Sequence, residues 1–314
     1  MEMLAVLQSG NSPGEGLQSQ RDSSEQDENS TLPSAGSPGS NPGGQLKIAI
    51  LATSSAGNSS FVSDGVSRLL IDCGLSLLET TTRLAAIGES VDNIDAVLLS
   101  HPHGDHCAGL PTLIKRWRRG GRCVPVYCSV ATFDALPNVI PPHWYRHVAQ
   151  FDHWQIGEIR CETFVVQHDC GEPLGFTVQV GDQRATFALD LGAIDDPLAE
   201  YFTQSDFLLL ESNHDPDMLA AGPYSYRLKQ RIAKTHLSNE SACAWISEYM
   251  GYRTRYLLLG HLSETTNDPA IVRLMAQHHL TRLKLTPVFQ VISPGASSGP
   301  WLLAPLARPG PGKE

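Results

Sequence analysis

The chain has 314 residues, 41% of them hydrophobic, with 23 basic against 33 acidic side chains and a net charge of −10. That is enough apolar material for a sizeable core, and the acidic balance argues against tight, non-specific binding of a nucleic-acid duplex, which needs many phosphate contacts. Seven irregularly spaced cysteines without a CxxC pair exclude a disulfide framework, and no apolar run reaches membrane length, so a cytoplasmic protein without membrane association is expected.

Residues 1–45 are rich in Ser, Gly, Pro, Gln and acids, with Arg21 the one cation among them. Such a segment cannot bury enough apolar surface to offset its ordering entropy, so a disordered acidic tail is expected. Lys47-Ile48-Ala49-Ile50-Leu51 then reads as a strand, and Phe61-Val62 and Arg68-Ile71 as a hairpin turning at Asp64-Gly65. Leu75 to Ile87 reads as a helix closed by Gly88. Ala96-Val97-Leu98-Leu99 reads as a strand, followed by an amphipathic stretch with Leu110, Leu113, Ile114 and Trp117 at helical spacing. Further strands are expected over 124–127, 161–166, 175–180, 185–189, 207–210 and 256–259, and helices over 197–203, 226–234, 238–250 and 269–278. Strands first and alternating elements later predict two sheets with helices outside them, an α/β four-layer αββα sandwich over 46–293. A flexible tail is expected over 294–314, where Trp301-Leu302-Leu303 is the segment apolar enough to dock.

One serine behind the fourth strand stands His101-Pro102-His103-Gly104-Asp105-His106. In extended backbone, residues two apart point the same way, so His101 and His103 can grip one ion. Gly104 permits a sharp turn that brings Asp105 and His106 toward a second. Imidazole suits zinc, and the carboxylate tolerates manganese or iron as well. Three later strands end in the same way. Phe164-Val165-Val166 runs into Gln167-His168, Thr186-Phe187-Ala188-Leu189 into Asp190, and Leu257-Leu258-Leu259, after Gly260, into His261. Ligands in layered α/β folds gather at strand ends, where side chains leave the core on rigid backbone. The expected sites are therefore His101, His103 and His168 for one ion and Asp105, His106 and His261 for the other, with Asp190 bridging. His261 competes with His236 and His214 for its place. It is preferred because it ends its strand most directly, whereas His236 follows a helix and precedes Ser238, a helix N-cap.

The HxHxDH loop followed by separated His, Asp and His resembles the metallo-β-lactamase superfamily of metallohydrolases, over about residues 46–292. Ser54-Ser55-Ala56-Gly57-Asn58-Ser59, Gln167-His168-Asp169, Glu211-Ser212-Asn213-His214-Asp215-Pro216, His236-Leu237-Ser238-Asn239-Glu240 and Gly260-His261-Leu262-Ser263 are similar to its YycJ-like (WalJ-like) branch, regarded as exonucleases. The resemblance implies the metallo-β-lactamase fold, two divalent ions (Zn²⁺ or Mn²⁺) and a nucleic-acid substrate, DNA before RNA. It also makes Asp72 the residue that orients the histidine loop rather than a ligand.

Two ions about 3.5–4 Å apart acidify a shared water and clamp the attacking and leaving oxygens of an in-line displacement, so hydroxide attack on a phosphodiester is expected. Asp105 belongs to that machinery. His236 and His214 are the candidates to protonate the leaving oxygen, with ligand orientation or helix capping as the competing role for each. Glu211 is read as a partner of the ligands or a solvated carboxylate. Ser55 and Asn58 lie in a small-residue turn able to offer N–H groups to a phosphate. Two basic stretches could guide a polyanion: 115–122, whose Trp117 belongs to the core stripe, and Arg227, Lys229, Arg231 and Lys234, which lead to His236. The rival readings are a thioester or ester hydrolase of the glyoxalase II kind, which calls for a helical C-terminal region, and a metal-stabilised regulatory protein without turnover. The aspartate at 190, where the main zinc β-lactamases carry cysteine, and the short spacing from Asp190 to His261 argue against a β-lactamase and against a β-CASP insertion.

Overall fold

Along the first strand, side chains alternate between two different cores. The computed structural model describes residues 44–305, and the expectations for residues before 44 and after 305 lie outside them. In β1 (Lys47–Ala52), Ile48 and Ile50 enter a cluster shared with Phe176, Phe187, Leu209 and Leu258, while Ala49 and Leu51 pack on Leu84, Leu110, Leu113 and Trp117. The period-two alternation of a strand sends successive residues to opposite faces, so β1 is buried on both.

Six more strands complete its sheet: β2 (Ser59–Ser63), β3 (Arg68–Ile71), β4 (Ala96–Leu98), β5 (Val126–Cys128), β6 (Tyr145–His147) and, from the far end of the chain, β14 (Ser298–Leu302). The second sheet holds β7 (His153–Ile156), β8 (Ile159–Val165), β9 (Leu174–Val180), β10 (Gln183–Ala188), β11 (Phe207–Glu211), β12 (Tyr256–Gly260) and β13 (Val288–Val291). Its strands are two-faced as well. Phe207 and Leu209 of β11 face the first sheet, and Leu208 and Leu210 face outward against Phe202, Trp245 and Val272 of the helices Asp196–Thr203, Asn239–Glu248 and Pro269–Leu283. Strands covered on both sides read as unbroken apolar runs, which is why Leu208-Leu209-Leu210 and Leu257-Leu258-Leu259 carry no alternation. Three apolar layers between four layers of structure make the expected αββα sandwich.

The two sheets repeat one plan. Order β14-β1-β2-β3 is antiparallel throughout and β3-β4-β5-β6 is parallel. In the same way β7-β8-β9-β10 is antiparallel and β10-β11-β12-β13 parallel. The carboxyl ends of β3 and β4 leave one edge of their sheet together, as do those of β10, β11 and β12 in theirs. Every chemically capable strand end named from the sequence, apart from that of β8, is one of these.

The loose C-terminal tail expected from 294 is corrected over its first part. Ser298–Leu302 pairs antiparallel with β1, and Leu303 is fully buried with its N–H on the Leu46 carbonyl at 2.9 Å. Its Gly299-Pro300 suggests a loop, but Pro is compatible with an edge strand, whose outer N–H groups need no partner. The basic helix Leu110–Arg119 keeps Trp117 in the core, its indole N–H donating to Val91 O at 2.8 Å. All seven cysteines are free. Among the described residues no helix is long and apolar enough to cross a membrane.

Candidate metal centre

The loop after β4 begins with His101, almost wholly buried, and His103 stands in extended backbone at the N-cap of the one-turn helix Gly104–Cys107, which turns Asp105 and His106 inward. The expected role of Gly104 is corrected. It starts this helix at an ordinary φ and an added Cβ would meet nothing within 4 Å. The glycine the site cannot do without is Gly74, where a Cβ would sit 1.7 Å from the Asp105 carbonyl oxygen. Here the loops after β1 and β3 both touch the loop after β4 backbone to backbone: Asn58 N–H donates to Asp105 O at 2.7 Å and Cys73 N–H to His106 O at 2.7 Å.

Apart from that of His103, the imidazoles of the centre are fixed through one nitrogen. Asp72 accepts from Ser100 N–H and Oγ and sits 2.8 Å from His106 Nδ1, which leaves Nε2 facing the centre. His168 Nδ1 reaches Thr235 O at 2.9 Å, and its Nε2 points at His103 Nδ1, 3.1 Å away. Glu211, fully buried, lies 2.8 Å from the Nδ1 of both His236 and His261 through Oε1, while Oε2 accepts from the N–H groups of Leu191 and Leu237. His261 N–H donates to Thr53 Oγ1 at 2.8 Å. Hydrogen bonding at the outer nitrogen fixes which inner nitrogen can bind a cation.

The metal-capable atoms converge in three groups, of which one, Asp190 with Glu211, His236 and His261, is tied together by the hydrogen bonds around Glu211 and the other two enclose the centre. The first of those two is His101, His103 and His168; the other is Asp105, His106, Asp190 and His261; within each, the ligand atoms lie within 4.8 Å of one another. Asp190 Oδ2 stands between them, against His106 Nε2 and 3.7 Å from His101 Nε2. Whether a cation suits this arrangement can be tested on its unmet hydrogen bonds. His101 Nε2, His261 Nε2 and Asp190 Oδ2 are buried and make none. A buried polar atom without a partner costs roughly 1–3 kcal/mol, and two of these, His101 Nε2 and Asp190 Oδ2, face each other at 3.7 Å. A three-nitrogen group beside a mixed nitrogen and carboxylate group suits divalent zinc or manganese. The residues fit the divalent ions that this fold family implies.

Charge in the metal-free centre is balanced by protons. Burial holds His101 and His103 below the ordinary histidine value, with neighbouring imidazoles adding to the effect. Burial also opposes charge on His106, but the Asp190 and Asp72 carboxylates outweigh it and raise it to about 10. Likewise Glu211 and Asp190 raise His236 to about 9 against its burial, and Asp190, Asp105 and Glu211 raise His261 well above the ordinary value. Asp190, despite burial, is held far below the usual carboxylate range by His261 and His106.

All seven expected ligands thus meet, in the two groups read from the sequence. His236 joins their rim: its Nδ1 is shared between Glu211 at 2.8 Å and Asp190 at 3.2 Å, and its side chain is 15% exposed. Asn58 bonds Asp105 Oδ2 at 3.2 Å and approaches His106 Nε2 at 2.9 Å, a contact to the ligands themselves. Ser55 is exposed and makes no hydrogen bond to them. His214 stands outside both groups. Its Nδ1 is buried without a partner and its carbonyl accepts from Asn239 N–H at the start of a helix. Thr53, Ser100 and the Thr235 carbonyl escaped the sequence reading. Ser100 alone carried a signal, being the polar residue between an apolar strand and the first histidine.

A two-sheet sandwich with buried histidines and carboxylates gathered at the ends of its parallel strands defines a metallohydrolase. The profile of the beta-lactamase superfamily domain matches residues 67–262, and the chain belongs to that superfamily. Within it the chain falls in the YycJ-like (WalJ-like) branch. It is 31% identical over 253 residues to the exodeoxyribonuclease WalJ of Streptococcus pneumoniae, covering 76% of this chain and 90% of that one. To the exodeoxyribonuclease YycJ of Bacillus anthracis it is 28% identical over 234 residues, covering 73% and 87%. Among solved structures, the metallo-beta-lactamase fold protein YhfI from Bacillus subtilis superposes with a TM-score of 0.62 at 18% identity, covering 82% of this chain and 99% of that one. That last likeness speaks for the fold alone.

Proposed function

We propose that the chain is a binuclear metal-dependent phosphodiesterase that shortens nucleic acid from an end, with DNA as its substrate. The observation that carries this reading is the convergence of unpartnered, buried ligand atoms on Asp190. The names of the relatives, both exodeoxyribonucleases, support the substrate. His101, His103 and His168 would hold one ion and Asp105, His106 and His261 the second, with Asp190 shared between them. Bound there, zinc or manganese supplies a nucleophile at neutral pH and offsets the charge that develops on the phosphoryl group.

The protein's own groups do the rest. Asp72 and Glu211 keep His106, His236 and His261 in one orientation. His236, tied to Glu211 through Nδ1 and partly open to solvent, has Nε2 free to give a proton to the leaving oxygen. His214 has no such opening and keeps a structural role, pinning the helix Asn239–Glu248 through its carbonyl. The test is degradation of 5′-phosphorylated single- and double-stranded DNA with Mn²⁺, beside Asp105→Ala. Stepwise shortening by the wild type and its loss in the variant are expected. DNA left intact with every divalent ion tried would overturn the reading and turn attention to RNA and to esters.

A further inference from the structure

The helix Tyr226–Thr235 buries only Thr235, and its charged side chains follow a pattern that packing does not explain. Arg227, Arg231 and Lys234 recur at steps of four and three, so they share one face, with Gln230 between them. All four are exposed. The stripe runs from Arg227 to Lys234, about 10 Å of helix. Its C-terminal end is anchored in the metal centre, since Thr235 O accepts from His168 Nδ1 and His236 is the next residue.

Three features separate this face from an ordinary solvated one. Arg227 lies in the first turn, where the helix dipole disfavours a cation, so local electrostatics do not account for it. The side chains of Arg227 and Lys234 have no hydrogen-bond or ion-pair partner among the described residues, on a chain with ten more acids than bases. Tyr226, at the head of the stripe, is 78% exposed. The middle cation is already aimed. Arg231 pairs with Asp169 through both Nε and Nη2, and Asp169 Oδ1 lies 3.3 Å from His168 Nε2, at the mouth of the centre.

We infer that this face is the track along which the substrate strand approaches the metal centre, with Lys234, Arg231 and Arg227 on successive backbone phosphates and Tyr226 stacked on a base beyond them. The inference rests on the nucleic-acid reading above and adds to it a direction and a length. Single-strand binding without sequence preference combines a line of cations with an aromatic face, which is what this helix offers. An isolated phosphodiester is too short to reach from the centre to Arg227.

The test compares the full-length, Mn²⁺-loaded wild type with Arg227→Ala/Lys234→Ala and with Tyr226→Ala. Each is assayed on a 5′-phosphorylated single-stranded oligonucleotide and on bis(p-nitrophenyl) phosphate as an internal reference. For the double variant the oligonucleotide KM is expected to rise by about 10-fold or more, with a matching fall in kcat/KM relative to the small diester. The log–log salt dependence of binding should become shallower by about 1.4, two contacts at roughly 0.7 each for a single strand. Arg227→Lys/Lys234→Arg should restore both. A double variant with wild-type KM and salt slope on DNA would overturn the track and give the face to some other anionic partner. A wild type that cleaves the small diester but no DNA would instead overturn the nucleic-acid reading, and the track with it.

Discussion

Three residues of the centre hold the left-handed backbone that side chains with a Cβ seldom adopt: Asp72 at φ 60°, Asp190 at φ 51° and His261 at φ 55°. Asp72 directly follows β3 and Asp190 comes two residues after β10, the last antiparallel strand of each sheet, while His261 directly follows β12, so the strain recurs at comparable places. Such a residue costs on the order of 1 kcal/mol or more and persists where its surroundings over-determine it, as the bond from His261 N–H to Thr53 does here. At this scale the ligands were legible because each is a polar residue stopping an apolar run. Of their partners, Asp72 and Glu211 stood out for the same reason, whereas Thr53, which reaches His261 from just beyond β1, did not. Glu211 gives the sharpest residue-scale prediction. Its Oε1 serves two imidazoles and its Oε2 two backbone N–H groups, so an amide must set donor against donor on one side. Glu211→Gln should weaken metal binding about 10–100-fold while the protein stays folded; titration calorimetry giving wild-type affinity would refute the role. The two glycines of the loops should also part company. Gly74→Ala drives a Cβ into the Asp105 carbonyl and should cost about 1–3 kcal/mol or more in urea unfolding, whereas Gly104→Ala meets open space and should cost well under that.

Among elements, the strands buried on both faces were the readable ones, because a run such as Leu208-Leu209-Leu210 needs no partner to declare itself. The strands missed are at or near the sheet edges, short and half-exposed. β7 alternates exposed and half-buried residues, and β13 has only Val291 buried. β14 carries Gly299 and Pro300, so composition placed it in a loose tail, yet pairing with β1 and burial of Leu303 decide otherwise. A loose tail and a docked one differ in what a leucine there is worth. Leu303→Ala should lower stability by about 2–5 kcal/mol, as for a core leucine. Leu302, its neighbour at the end of β14 and 49% exposed, should lose far less when changed to alanine. Equal and negligible losses at both positions, measured by denaturant unfolding, would return the segment to the tail.

For the molecule as a whole, the repeated sheet plan brings the carboxylates Asp72, Asp105, Asp190 and Glu211 together with a cluster of histidines, away from water, and something positive must balance them. Without metal that role falls to protons on His106, His236 and His261. The sign follows from the raised values. In the unfolded chain these histidines lose their protons near pH 6.5, whereas in the folded, metal-free protein His106 keeps its proton up to about 10 and His236 up to about 9. Their contribution to the stability of the metal-free protein is therefore complete below about pH 6.5 and is lost as pH rises through those folded values. A bound cation needs neutral His106 and His261 and so displaces their protons, which makes metal affinity climb with pH over the same window. At a hundred-fold excess of metal over its Kd the bound form gains about 2.7 kcal/mol. Chelator treatment should thus lower the Tm, and the gap between metal-loaded and metal-free protein should widen from pH 6.5 toward pH 9. Calorimetric zinc titrations in buffers of different ionisation enthalpy should register proton release at neutral pH. A gap that does not change with pH, together with heats independent of the buffer, would mean that the centre is balanced by something other than these protons.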